Sequence, residues 1–179
     1  VNPEAEVAFL KEVFAAEPVT IPIIGWWGGG ADPGMTEYAG VGLAGEYGKV
    51  TVGCDWAPNL SVLTAVPADV AGAAQRYWAL PRRVTPEFDT DKVYVAYNVV
   101  ESGDSPGYLQ DLQPSVWDDP ARGSMPINWC MGAPVLDLLP TVAEYFFERA
   151  TANDHLYMAI SGAGYVHPYR NFMARTADP

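Results

Sequence analysis

The stretch Lys-Val-Tyr-Val-Ala-Tyr-Asn-Val-Val, residues 92–100, carries the clearest strand signal in this chain of 179 residues. It is an almost unbroken run of Val, Tyr and Ala, which is the pattern of a strand covered on both faces. Helices on both faces of a sheet are typical of parallel α/β folds. The run ends at Glu101, and Gly103 with Asp104 then indicates a turn.

Four other segments have the character of strands, and helical segments separate them. The predicted strands cover residues 19–27, 49–54, 125–130 and 155–160. The predicted helices cover residues 3–16, 37–47, 68–78 and 134–150, with a helical turn at 108–112. This alternation predicts an α/β fold with a mostly parallel sheet and alternating helices, either a partial or reduced β/α barrel or an open doubly wound sheet.

Length predicts the domain organisation. About five strands in 179 residues fall short of the roughly 250 residues of an eight-fold barrel. We therefore expect residues 1–179 to form a single α/β domain excised from a longer protein. No apolar run approaches the roughly 20 residues that cross a bilayer, so we expect no membrane span. The start of the chain has neither the basic region nor the apolar core of a signal peptide, so we expect no targeting segment in it.

Charge excludes one class of partner. The chain has 22 acidic and 10 basic residues and a formal net charge of −12. An acidic surface repels a phosphate backbone, so we expect no nucleic-acid partner.

Cysteine and histidine are scarce. Cys54 and Cys130 lack the spacing of a structural zinc site, and they are expected to pack as small apolar groups unless they form a disulfide. His155 and His167 form no HxxxH or HExxH motif. We therefore predict no metal site and no cofactor.

A glycine-rich loop follows the last predicted strand. Its sequence is Gly-Ala-Gly-Tyr-Val-His-Pro, residues 162–168. Two glycines permit positive φ and close backbone approach, and Pro168 fixes the exit of the turn, as in a binding loop.

This loop resembles the signature that names the GxGYxYP putative glycoside hydrolase family, with His167 in place of the second tyrosine. The resemblance extends to residues 25–27, to Asp55 with residues 59–61, to residues 93–100 with the following Gly-Asp, and to residues 126–129 with Pro134. It implies the family's C-terminal domain, similar to a β/α sugar-enzyme domain. It further implies a carbohydrate partner, flanking domains in the parent chain, and an extracellular or periplasmic parent protein.

Glycoside hydrolysis generally uses two carboxyl groups, one as proton donor and one as nucleophile or base. Asp55, Glu101 and Asp104 lie at predicted strand ends and are the candidate catalytic residues. Asp55 and Asp104 match the family pattern, whereas Glu101 and Ser102 depart from its acidic Ser-Asp-Gly-Asp-Asn. Each carboxylate also has the ordinary alternative of capping a helix or closing a turn.

Sugar sites combine flat aromatic rings with a few fixed polar groups. Four aromatic residues at or near predicted strand ends are therefore candidate substrate-binding residues, and so are two polar residues that would bond to hydroxyl groups. The six are Trp26, Trp56, Asn59, Trp129, Tyr165 and His167.

The sequence thus predicts a glycoside hydrolase domain that cleaves glycosidic bonds by carboxylate acid/base chemistry. The alternative is a carbohydrate-binding or structural domain without catalysis. The departure at Ser102 and the modest length favour that alternative.

Overall fold

The computed structural model of this chain describes residues 3–19, 21–28, 35–54, 57–82, 87–100, 106–158 and 162–167. Within these ranges all five predicted strands are present, shorter than expected, and helices separate them. The helices are α1 Pro3–Ala16, α2 Glu37–Glu46, α3 Leu60–Leu63, α4 Val70–Trp78, α5 Pro106–Gln110, α6 Leu112–Trp117, α7 Pro134–Leu138 and α8 Pro140–Arg149. The strands are β1 Ile23–Ile24, β2 Thr51–Val52, β3 Asn98–Val99, β4 Ile127–Met131 and β5 Asp154–Met158.

All the strand pairs are parallel, which confirms the α/β class. β1 pairs with β2, and β3, β4 and β5 form a second sheet in that order. The described residues form no closed barrel, so the sheets are open or partial, as the sequence predicted. The last residues of β4 and β5, Met131 and Met158, are paired, so the carboxyl ends of these strands lie side by side.

The segment expected to be the clearest strand is mostly not one. Only Asn98–Val99 of residues 92–100 pairs with β4. The N–H of Asn128 donates to the Tyr97 carbonyl, but the donor position before it, just outside β4, is Pro126, which has no N–H. The ladder therefore stops there, and Val93 is left 92% exposed instead of covered. High β propensity did not produce a strand because no partner was available.

The long helix expected over residues 134–150 is two helices. Leu139 lies between α7 and α8 with φ −136° and ψ 58°, outside the helical region. The next residue is Pro140, and proline disfavours helical geometry in the residue before it. Proline is then well placed as the first residue of α8.

Two hydrophobic cores lie on the two sheets. The larger one collects Trp117, Trp129 and Phe146 with Tyr77 of α4, packed against Leu156 of β5. Trp117 meets both Trp129 and Phe146 edge to face, at centroid distances of 5.0 and 4.9 Å.

The smaller core joins α1 and α2 to β1 through Phe14, Leu43, Ile23 and Trp27. Gly40 of α2 passes so close to the Trp27 ring that a Cβ there would lie 2.3 Å from it.

No disulfide joins Cys54 and Cys130, and Cys130 is fully buried. None of the described helices has the length and apolar character of a membrane span.

A buried carboxylate ties the larger core together at the start of β5. Asp154 is fully buried and accepts hydrogen bonds from Trp129 Nε1, Thr151 N and Thr151 Oγ1, each at 2.8 Å. It also pairs with Arg122, whose guanidinium donates to the backbone carbonyls of Trp117 and Arg149. Buried charges persist in proteins when they are paired and hydrogen-bonded in this way.

We expect Asp154→Asn to lower the free energy of unfolding by about 3 kcal/mol, because it leaves the Arg122 charge largely buried without its partner. Urea denaturation followed by circular dichroism measures the loss. Asp91→Asn removes the same charge at an exposed turn and should change stability by less than about 0.5 kcal/mol. Equal effects of the two substitutions would contradict the structural role of the pair.

Candidate functional site

The glycine-rich loop after β5 is held against β2. Tyr165 N donates to the Thr51 carbonyl at 2.7 Å, and Thr51 N donates to the Tyr165 carbonyl at 3.1 Å. We call this antiparallel pair of hydrogen bonds the signature bridge. Gly164 has φ +154°, and a Cβ on it would lie 2.7 Å from the Thr51 carbonyl oxygen. The second glycine of the motif is therefore required by backbone contact with β2.

Thr51 also fixes the end of β1. Its side chain is fully buried, and its Oγ1 accepts a hydrogen bond from Trp27 Nε1 at 3.2 Å. Trp27 packs edge to face on Phe14 of α1 at 6.1 Å. One residue thus joins β1, β2 and the glycine-rich loop.

The signature bridge assembles an aromatic cluster, which consists of Trp26, Tyr38, Tyr165 and His167. Tyr165 stacks on Trp26 with ring centroids 6.0 Å apart and an interplanar angle of 26°. His167 lies 5.7 Å from Tyr165 and 4.2 Å from Tyr38, which α2 supplies. Trp26 and Tyr165 are half-buried, whereas His167 is buried at 7% exposure. Three of the predicted binding residues therefore come together here, and Tyr38 joins them unpredicted.

Asn59 is exposed at the start of α3, with φ 58° in the left-handed region that Asn tolerates. Its side chain makes no capping hydrogen bond to that helix.

Trp129, which was predicted to bind substrate, is instead part of the larger core. It lies within β4 instead of at its end, it is 1% exposed, and its indole N–H donates to Asp154. Its ring presents no surface to a ligand, because alternation along the strand points it into the larger core.

The predicted catalytic residues Asp55, Glu101 and Asp104 lie outside the described residues, and so does Trp56. Their places in the chain are nevertheless defined by the strands before them. Asp55 follows β2, and Glu101 and Asp104 follow β3.

The face of the three-stranded sheet opposite Trp129 carries a polar row that the sequence did not predict. Asn98, Asn128 and His155 are neighbours across β3, β4 and β5. Asn128 Nδ2 donates to Asn98 Oδ1 at 2.9 Å, and His155 Nδ1 lies 2.8 Å from Arg82 Nη1, from which it accepts. Ile127, Trp129 and Met131 are alternate residues of β4 and point toward the core. This alternation was the signal in the sequence that Asn128, which lies between them, points to the other face.

Tyr157 reaches from β5 across the sheet to β3. Its hydroxyl donates to the Val99 carbonyl at 3.2 Å. Burial raises the pKa of Tyr157, and its neighbour Cys130 raises it further. The hydroxyl therefore stays protonated at neutral pH and holds the last residue of β3.

A cleft of about 290 Å³ lies between the β1–β2 sheet and α7, beside the glycine-rich loop. Its walls are aliphatic, with Ile24 and Val52 on one side, Pro134 and Leu138 on the other, and Ala163 of the glycine-rich loop beside them. Asp137 of α7 is the one charged side chain among the described residues that line it. Across the described ranges, no three His, Cys, Asp or Glu side chains come together in a way that holds a metal ion.

Two family models match this chain. One, described as the GxGYxYP putative glycoside hydrolase C-terminal domain, matches residues 91–177, and another, described as the GxGYxYP third domain, matches residues 1–65. The search of curated proteins found no match.

A solved structure also resembles the chain. It is a crystal structure of a putative hydrolase from Bacteroides thetaiotaomicron VPI-5482, with a TM-score of 0.71 and 19% sequence identity. The match covers 96% of this chain and 31% of that one, so this chain spans about a third of the length of that protein. At this identity the likeness shows the fold alone.

We expect Gly164→Ala to be more damaging than Gly162→Ala. Both glycines have positive φ, +154° and +78°, but only a Cβ at residue 164 would overlap the Thr51 carbonyl, since nothing lies within 4 Å of one at 162. Gly162→Ala should cost about 1–2 kcal/mol from backbone strain alone. Gly164→Ala should cost more and should also break the signature bridge.

Urea unfolding measures the two losses, and near-ultraviolet circular dichroism reports the packing of Trp26 and Tyr165. Equal losses, with unchanged aromatic signals in both variants, would show that the bridge does not depend on Gly164.

We also expect stability to fall at alkaline pH because of Tyr157. Its pKa is raised in the folded protein, so its contribution is complete below the unfolded value of about 10 and is lost as the pH rises through the folded value. Tyr157→Phe should remove part of this loss. Urea unfolding at pH 8 and above pH 10, compared between the two proteins, measures the difference, and identical alkaline losses would contradict it.

Proposed function

Because this chain belongs to the GxGYxYP putative glycoside hydrolase family, we propose that it helps to form the sugar site of an enzyme that hydrolyses glycosidic bonds. The stack of Trp26 and Tyr165 is the observation that carries this proposal. The family signature builds that stack through the signature bridge. The flat faces of a sugar ring pack on such aromatic surfaces through their C–H groups.

Two polar residues would orient the sugar. His167 lies against Tyr165, and its imidazole is buried among aromatic rings. Asn59 follows β2 and leaves its side chain unused for capping. We propose that both bond to sugar hydroxyl groups.

The carboxylates after β2 and β3 would perform the chemistry. Both strands belong to parallel sheets, in which loops at the carboxyl ends hold ligands. We propose Asp55 and Asp104 as the pair, one donating a proton to the leaving oxygen and the other acting as nucleophile or base. Glu101 is the alternative member of the pair.

Charge favours a neutral or cationic carbohydrate over an anionic one. The chain has a net charge of −12, and most of its described cations are committed within the protein. Arg122 pairs with Asp154, Arg82 contacts His155, Arg76 pairs with Glu148, and Lys49 donates to backbone carbonyls. Uronic-acid or sulfated polymers would meet repulsion here. We propose that a neutral or cationic polysaccharide is the substrate, cleaved outside the cytoplasm by a parent protein with further domains.

Binding without hydrolysis is the second candidate function. The ring contacts that define the aromatic cluster are made by its own four residues, so a sugar could bind to it in a protein that has no catalytic pair. Measuring sugar binding and product release separately distinguishes these two functions.

We expect Asp55→Asn and Asp104→Asn each to lower turnover at least about a hundredfold, because each removes a group that transfers a proton or attacks in the transition state. A panel of aryl glycosides and neutral oligosaccharides is the assay, with the fold checked by circular dichroism. Full turnover by both variants would remove these residues from the mechanism. Calorimetric binding of a sugar by the unsubstituted protein, with no product from any substrate, would establish the binding function instead.

We expect Trp26→Ala to weaken sugar binding roughly three- to tenfold, since it removes one ring of the stack. Trp78→Ala removes an exposed indole from α4 and is the matched control, which should leave binding unchanged. The same affinity in all three proteins would show that the sugar does not contact Trp26.

A further inference from the structure

The cleft beside the glycine-rich loop is not used by the proposed chemistry. It lies between the β1–β2 sheet and α7, where Ile24 and Val52 face Pro134 and Leu138. Its volume of about 290 Å³ is at the lower end of the range for small-molecule pockets, roughly 300–1,000 Å³. A cleft of this size suits one fragment of a ligand.

Its walls argue against a sugar ring as that fragment. Ile24, Val52, Pro134 and Leu138 are aliphatic, and no aromatic side chain is among the described residues that line the cleft. A polyhydroxylated ring placed there would have several hydroxyl groups without hydrogen-bond partners, at a cost for each. The fragment that fits is therefore mainly apolar.

Asp137 decides the charge of the fragment. Its carboxylate is the one charged group among the described lining residues, and no described lining residue is a cation. An anion would be repelled both by Asp137 and by the net charge of −12. A positively charged group on an aliphatic stem would place its stem on the walls and its charge at the carboxylate.

We propose that this cleft is a subsite for an aliphatic group that carries an amine, with Asp137 contacting the ammonium. The cleft adjoins the aromatic cluster along the chain, since Ala163 lines it and Tyr165 stacks on Trp26. This inference rests on the proposed function, because such a group would be the aglycone of a glycoside whose sugar lies on the aromatic cluster.

The test uses three probes of equal length, n-pentylammonium, 1-pentanol and pentanoate, titrated into the protein at pH 7. Methyl chemical shifts of Ile24, Val52, Leu138 and Ala163 report binding in the cleft. We expect affinity to decrease in the order pentylammonium, pentanol, pentanoate. Because Asp137 is exposed, the advantage of pentylammonium over pentanol should be about two- to fivefold.

Two variants and one control test separately what the charge of Asp137 and the aliphatic walls contribute to binding. Asp137→Asn should abolish the preference for pentylammonium over pentanol while leaving the affinity for pentanol unchanged. Ile24→Ala, at a residue 54% exposed, should weaken all three probes several-fold without changing their order. Asp91→Asn makes the same change in net charge away from the cleft and should preserve the preference.

Three results would overturn the proposal: no shift of the cleft methyl groups with any probe, equal binding of all three probes, or a preference that survives Asp137→Asn. The sugar titrations with Trp26→Ala keep this failure distinct from failure of the proposed function. Sugar binding without pentylammonium binding would reject the subsite alone. Pentylammonium binding in the cleft of a protein that binds no glycoside would reject the aglycone as its occupant.

Discussion

The signature bridge between Thr51 and Tyr165 is the constraint on which the candidate site depends. Two backbone hydrogen bonds join the segment after β5 to β2, and Gly164 allows the two backbones to meet. Through its side chain, Thr51 also holds Trp27 and so the end of β1. This contact places Tyr165 beside Trp26.

The bridge gives the family motif a physical meaning. A glycine-rich loop after a strand suggests a flexible loop that meets a ligand. Here the second glycine contacts protein backbone, and the loop positions the aromatic cluster that we propose as the sugar site. A site built on a paired strand is more rigid than one built on an open loop, which suits the positioning that sugar recognition requires.

The candidate site draws on both hydrophobic cores. The smaller core holds Trp27 and α2, which supplies Tyr38, while the larger one anchors β5 through Asp154. Between them lies the aliphatic cleft with Asp137 at its wall. The glycine-rich loop thus contributes Ala163 to the cleft and Tyr165 to the aromatic cluster, and the ligand that we propose has one apolar part and one sugar part.

Local patterns in the sequence by themselves determined the α/β class and the order of the strands, because periodicity and turn residues act over a few neighbours. Together with the resemblance to the family signature, they also pointed to Trp26, Tyr165 and His167, whose rings lie together in the structure. Tertiary structure alone decided the rest. Most of residues 92–100 do not form the predicted strand, because Pro126 provides no hydrogen-bond donor there. Trp129, predicted to bind substrate, is buried in the core. Tertiary packing also decided that Tyr38 joins the aromatic cluster, that Thr51 forms the signature bridge and that Asp137 lines the cleft. Such contacts join residues far apart in the chain, and no local pattern predicts them.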